Sequence, residues 1–194
     1  MPDIDIDFAD RSVILNQLKH RVAKLDNGKK HNTGVYANEI PHNPVDNLST
    51  MEHKTAEERG DFKLDFLNVS IYKDVNDEQH LTQLIEREPI WQLLEHDDFN
   101  EKVFHVNGHG ELLRQLKPTS VEQLAATLAI IRPAKRHLAT EQWSHIMEHV
   151  WTKPTDGSYY FKKAHAISYA VAVVVHMNLL CEDLERNNNG LGSV

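Results

Sequence analysis

Acidic and apolar residues alternate from Pro2 to Phe8, the two-residue period of a half-buried strand. Asp3, Asp5 and Asp7 then share one face, and Ile4, Ile6 and Phe8 enter the core from the other. From Asp10 the period changes. Ile14, Leu18, Val22 and Leu25 follow one helical stripe, and Asn27-Gly28 supplies a C-terminal stop, so the pattern predicts a single helix up to Leu25. Pro41, Pro44 and Gly60 punctuate the polar stretch 33–60, read as a short strand near Gly34–Ile40 and then a loop. Phe62, Leu64 and Phe66 alternate with Lys63 and Asp65, which predicts a second strand over 61–67. After Val75 the pattern is helical, over 77–88, 109–116, 119–131, 140–151 and 163–186, with breaks at Lys117-Pro118-Thr119 and Pro154 to Ser158. The expected fold class is α+β: a small mixed β-sheet followed by a mainly helical region. Its expected divisions are 1–75, 76–186 and a frayed tail at 187–194.

Composition narrows the choices. The 194 residues are 40% apolar and 26% charged, a globular balance. A single cysteine, Cys181, excludes a disulfide framework and a cysteine-rich zinc site, and its apolar helix makes it a core residue. The apolar stretch Ala166 to Cys181 is read as too short and too polar for a bilayer, and the acidic N-terminus is unlike a signal peptide. A cytoplasmic chain with no membrane partner is expected. The net charge of −8 is uneven. Residues 11–31 carry six basic side chains against Asp26, a candidate phosphate-facing segment, and 74–101 carry nine acids against Arg87.

The acidic strand holds the chemistry. Carboxylates two apart on a strand lie about 6.6 Å from each other. They repel unless a cation sits between them, and two divalent ions shared by such groups serve phosphoryl or nucleotidyl transfer. The plain alternative is an edge strand whose charges block aggregation. A calcium loop is excluded, because Phe8 and Ile14 stand where glycine and glutamate are required.

Pro2-Asp3-Ile4-Asp5-Ile6-Asp7-Phe8 resembles the palm motif of the C-family replicative DNA polymerases, the family of the bacterial DNA polymerase III alpha subunit. Gly60-Asp61-Phe62-Lys63-Leu64-Asp65-Phe66-Leu67 resembles that family's second palm motif, and Thr33-Gly34-Val35-Tyr36-Ala37 the segment before it. Leu116-Lys117-Pro118 through Ile131-Arg132-Pro133 resembles the finger segment. Tyr160-Phe161-Lys162-Lys163-Ala164-His165-Ala166-Ile167-Ser168-Tyr169-Ala170 resembles a later helix. The motifs stand in the family's order.

The resemblance implies a palm-like 1–75 and a finger-like 76–186, with DNA-templated nucleotidyl transfer as the activity. It implies Asp3, Asp5 and Asp65 as catalytic, metal-holding residues for two Mg2+ ions, with Mn2+ as a substitute. It implies Lys63, Arg132, Lys163, His165 and Tyr169 as contacts to nucleotide or DNA, and primer-template DNA and dNTPs as partners. The sequence departs from the family too. Only 59 residues separate Asp5 from Asp65, where the family carries its thumb. Ala134 replaces the glycine of Arg-Pro-Gly, Ala164 a serine, and Tyr36 a histidine. The family's upstream phosphate-binding segment is expected from a second chain. A phage-like genome would suit such reduction. The alternative is a catalytically silent palm remnant that binds DNA or a replisome protein.

One further pattern stands apart. His145-Ile146-Met147-Glu148-His149 matches His-x-x-Glu-His of inverted zinc proteases, with Glu182 and Glu185 available as a third ligand, but 13 histidines make chance matches common.

Overall fold

The computed structural model describes residues 4–155 and 160–190, the side chains of 188–190 excepted. Asp3 therefore lies outside the described residues. The fold is α+β: a five-stranded mixed sheet, then helices. The chain divides into two compact units, Met1–Lys73 and Asp74–Val194.

In the first unit the alternating N-terminal segment forms β1 (Ile4–Phe8). Asp10 then caps α1 (Arg11–Gln17), its carboxylate accepting from the Ser12 backbone N–H at 2.9 Å. The helix ends at Leu18 and does not reach Leu25. Residues 21–24 instead form β2 (Arg21–Lys24), which pairs antiparallel with β3 (Lys30–Tyr36) and parallel with β4 (Leu48–Glu52). The stripe of Val22 and Leu25 suited either element, and two strand partners decided it. Asn27-Gly28 is the turn of the β2–β3 hairpin rather than a helix stop: Gly28 has φ +79°, and Leu25 and Lys29 close the loop by a backbone hydrogen bond. The segment read as loop contains β4 and α2 (His53–Arg59), which ends on Gly60 at φ +93°. The second predicted strand is β5 (Lys63–Asn68).

The sheet order is β1-β5-β3-β2-β4, so β1 is an edge strand. Ile4, expected in the core, is 43% exposed, as an edge position allows. Phe8 contributes more by meeting Phe66 edge-on, with ring centroids 5.0 Å apart. On the other face Ala23, Tyr36, Ile40 and Ala56 form a small core.

The second unit is helical. It contains α3 (Glu78–Glu86), α4 (Asp97–Asn100), α5 (Gly110–Leu116), α6 (Val121–Ile130), α7 (Trp143–His149) and α8 (Lys163–Gly190). Two 3-10 segments, Trp91–Glu95 and Pro133–Thr140, join them. Asp77 and Ser120 cap α3 and α6 through their side chains. Lys117, at φ +45°, ends α5 in the left-handed region just before Pro118.

Every residue from Leu124 to Ile130 is buried, α6 packs against α8, and Ala166, Ala170, Val173, Val174, Met177 and Cys181 of α8 belong to the same core. Asn178 ties α8 to α3, its amide donating to the carbonyls of Leu84 and Arg87 at 2.9 Å each. The last helix runs to Gly190, past the expected start of the tail. It also exceeds the apolar stretch seen in sequence: Lys163–Asn187 is long and apolar enough to cross a membrane, although 56% of its most apolar window is buried inside the protein. Apolar content of this kind suits a core helix as well as a span.

Candidate functional site

Parallel pairing of β1 with β5 sets Ile4 opposite Leu64 and Asp5 opposite Asp65. Register partners on neighbouring strands project from the same face, so Asp5 and Asp65 stand side by side, with strands about 4.8 Å apart. Lys63 and Leu67 share that face by the period of two, as does Asp7, the partner of Leu67. Across β3, Gly34 opposes Asp65 and Tyr36 opposes Lys63. Asp5 is exposed on the edge strand, while Asp65, one strand inward, is only 6% exposed.

A bulge builds the surroundings of Asp65. On β2, Val22 pairs with Val35 and Lys24 with Lys30, so extra residues of β3 loop out of the ladder. Such bulges re-aim side chains. Here Thr33 Oγ1 donates to Asp65 Oδ1 at 2.7 Å, and Lys63 Nζ donates to Asp65 Oδ2. His31 Nδ1 accepts the Gly34 N–H at 2.9 Å, so it presents a lone pair here, 3.7 Å from Asp65 Oδ1. Gly34 is needed for this approach: a Cβ on it would lie 3.0 Å from both His31 Nδ1 and Lys63 Cδ. Burial alone would push the Asp65 carboxyl up, but the hydrogen bonds from Lys63 and Thr33 outweigh it and hold the group below its ordinary value. Tyr36 is fully buried, and its hydroxyl has no hydrogen-bond partner among the described residues. Burial and the charges of Asp61, Asp65 and Glu57 push its phenol up to about 12.

The other candidates lie in the second unit, and three of the four converge on one ring. The Arg132 guanidinium sits 5.4 Å over Phe161. The His165 ring lies parallel to Phe161 with centroids 6.5 Å apart, and Tyr169 is 5.6 Å from the same ring. Tyr169 also meets His105 edge-on at 4.5 Å. Burial, then the charge of Arg132, push the His105 imidazole down from its ordinary value. Lys163 is exposed on the first residue of α8.

In the basic segment 11–31 Lys29 and Lys30 are exposed, and the other four cations have partners. Arg11 donates to the carbonyls of Asn32 and Phe66, Lys19 and Arg21 pair with Glu39, and Lys24 donates to the Thr50 carbonyl. Sequence reasoning missed His31 as a neighbour of Asp65 and His105 as a neighbour of Tyr169. For His31 a signal existed, since a glycine inside a strand marks a bulge. No local pattern marked His105, which holds φ +62° in a connecting segment.

Comparison with protein-family models, with curated proteins and with solved structures finds no match for this chain.

Proposed function

We propose that the chain is a reduced palm-and-fingers relative of the C-family replicative polymerases, working in DNA-templated nucleotidyl transfer in a cytoplasm, with Asp3, Asp5 and Asp65 as its metal-holding carboxylates. One observation carries this reading: the parallel register that sets Asp5 beside Asp65 on a single face. The donor chemistry suits a hard divalent cation. Each Asp65 oxygen accepts one protein donor and has a further lone pair to offer, and Asp5 stands exposed beside it. Bound Mg2+, or Mn2+ in its place, would lower the pKa of the attacking primer hydroxyl and offset charge on the departing pyrophosphate. Lys63 and Thr33 keep Asp65 ionised. Arg132 and Lys163 offer cations to DNA or dNTP phosphates, and His165 and Tyr169 offer rings to a base.

The second reading, a silent remnant that binds DNA or a replisome protein, is favoured by the Lys63 ammonium, which already neutralises Asp65 without a metal.

Two measurements test the proposal. Mg2+ or Mn2+ should raise the melting temperature of the whole chain by mass action, and Asp5→Asn with Asp65→Asn should abolish that response. An unchanged response in the double variant rejects the carboxylate site. Primer extension on a primed template with dNTPs should vanish with Asp5→Asn and with Asp65→Asn. DNA or partner binding that survives Asp5→Asn with extension absent throughout selects the remnant.

A further inference from the structure

His145, Glu148 and His149 lie on α7, and all three are exposed. One potential ligand atom from each lies within 4.8 Å of the other two. The two histidines are four apart, so they share one helical face, and their rings stack with centroids 4.1 Å apart and planes 24° from parallel. His149 Nδ1 is 3.0 Å from the backbone carbonyl of His145. A carbonyl only accepts, so Nδ1 carries the proton and Nε2 carries the lone pair. This is the tautomer a metal requires, set by the backbone contact that orients many ligating histidines.

The helix under these side chains is pinned at both ends. Trp143 Nε1 donates to the Leu116 carbonyl at 3.0 Å, and Ile146 is fully buried. The buried Lys135 ammonium donates to the carbonyls of His149 and Thr152 at 2.8 and 2.7 Å. A fixed backbone limits the entropy lost when two side chains close on an ion.

We propose that His145 and His149 chelate one borderline divalent transition ion, Zn2+ by ligand chemistry, with Glu148 as a third, charge-balancing ligand and water completing the shell. Imidazole nitrogen with a carboxylate suits zinc rather than magnesium or calcium. The zinc-protease reading of this motif is a different matter. Glu182 and Glu185, its candidate third ligands, are engaged by His80 at 3.1 Å and by Arg87 at 3.1 Å. The site therefore binds an ion and is independent of the aspartates on the sheet.

Zinc titration of the whole chain by calorimetry should show one site per chain. His145→Ala and His149→Ala should each weaken it by about tenfold or more, and Glu148→Gln by a few-fold. All three side chains are exposed, so the metal-free melting temperatures should match that of the parent chain. Asp65→Asn should leave zinc binding unchanged, which separates this proposal from the nucleotidyl-transfer reading. In imidazole NMR spectra, zinc should shift the His145 and His149 signals before those of the other histidines. Parent-like affinity and stoichiometry in the double variant His145→Ala, His149→Ala would overturn the proposal, as would first shifts at other histidines.

Discussion

Replacing Lys63 with methionine keeps the side-chain stem and removes the ammonium that donates to Asp65. In the parent chain Asp65 is nearly buried yet held below the ordinary carboxylate range, because Lys63 and Thr33 donate to it. In Lys63→Met the burial stays and one hydrogen-bond donor remains, so the carboxyl moves above its unfolded value. If Asp65 stays charged, the variant loses a charge-assisted hydrogen bond of about 1.5–3 kcal/mol and keeps a poorly paired buried charge. Protonation caps that cost. Neutralising a carboxyl of ordinary pKa, about 3.9, at pH 7 takes about 4 kcal/mol. The expected loss at pH 7 is therefore about 2–4 kcal/mol.

The pH dependence has opposite signs in the two proteins. The depressed carboxyl of the parent contributes stability above its unfolded pKa, and that contribution is lost as pH falls through the folded value. The raised carboxyl of the variant costs stability at neutral pH, and the cost shrinks as pH falls toward about 4. The two stability curves should converge on acidification. Trp91, Trp143 and Trp151 all belong to the second unit, so a probe inside the first unit is used. Native-state hydrogen exchange of the segments 30–36 and 63–68, at several pH values, reads it directly. A loss below about 0.5 kcal/mol at pH 7, or a deficit that stays constant down to about pH 4.5, would refute the electrostatic account.

Two further changes probe the packing. Asn178→Ala removes a buried amide that satisfies two carbonyls at the end of α3, and should cost about 2–3 kcal/mol in urea unfolding followed by tryptophan fluorescence. A cost under about 1 kcal/mol would mean that those carbonyls find other donors. Gly34→Ala sets a methyl 3.0 Å from His31 and Lys63, and should cost about 1–3 kcal/mol with faster exchange at Asp65 and its neighbours. Unchanged exchange there would show that the bulge yields freely.

Elements whose pattern has one physical solution were legible in the sequence. Acid-apolar alternation admits a strand and little else, and β1 and β5 fall where it occurs. The apolar runs around Leu124 and Val173 extend beyond strand length, and they form α6 and α8. Asp5, Lys63 and Asp65 were recognisable as charged residues on strands, so these members of the candidate site were legible too.

What the sequence left open was settled by partners distant in the chain. Arg21–Lys24 could continue a helix until β3 and β4 offered it backbone hydrogen bonds on both sides. Asn27-Gly28 ends a helix or turns a hairpin equally well, and the identity of β2 selects the hairpin. Asp5 and Asp65 are neighbours only because β1 runs parallel to β5 in one particular register, and a slip of one residue would send Asp5 to the opposite face. Thr33 and His31 meet Asp65 through a bulge whose extra residues exist only relative to the pairing of β2 with β3. Local periodicity specifies which face a side chain joins within its own element. Which charges then confront each other depends on strand order and register, which are properties of the assembled sheet.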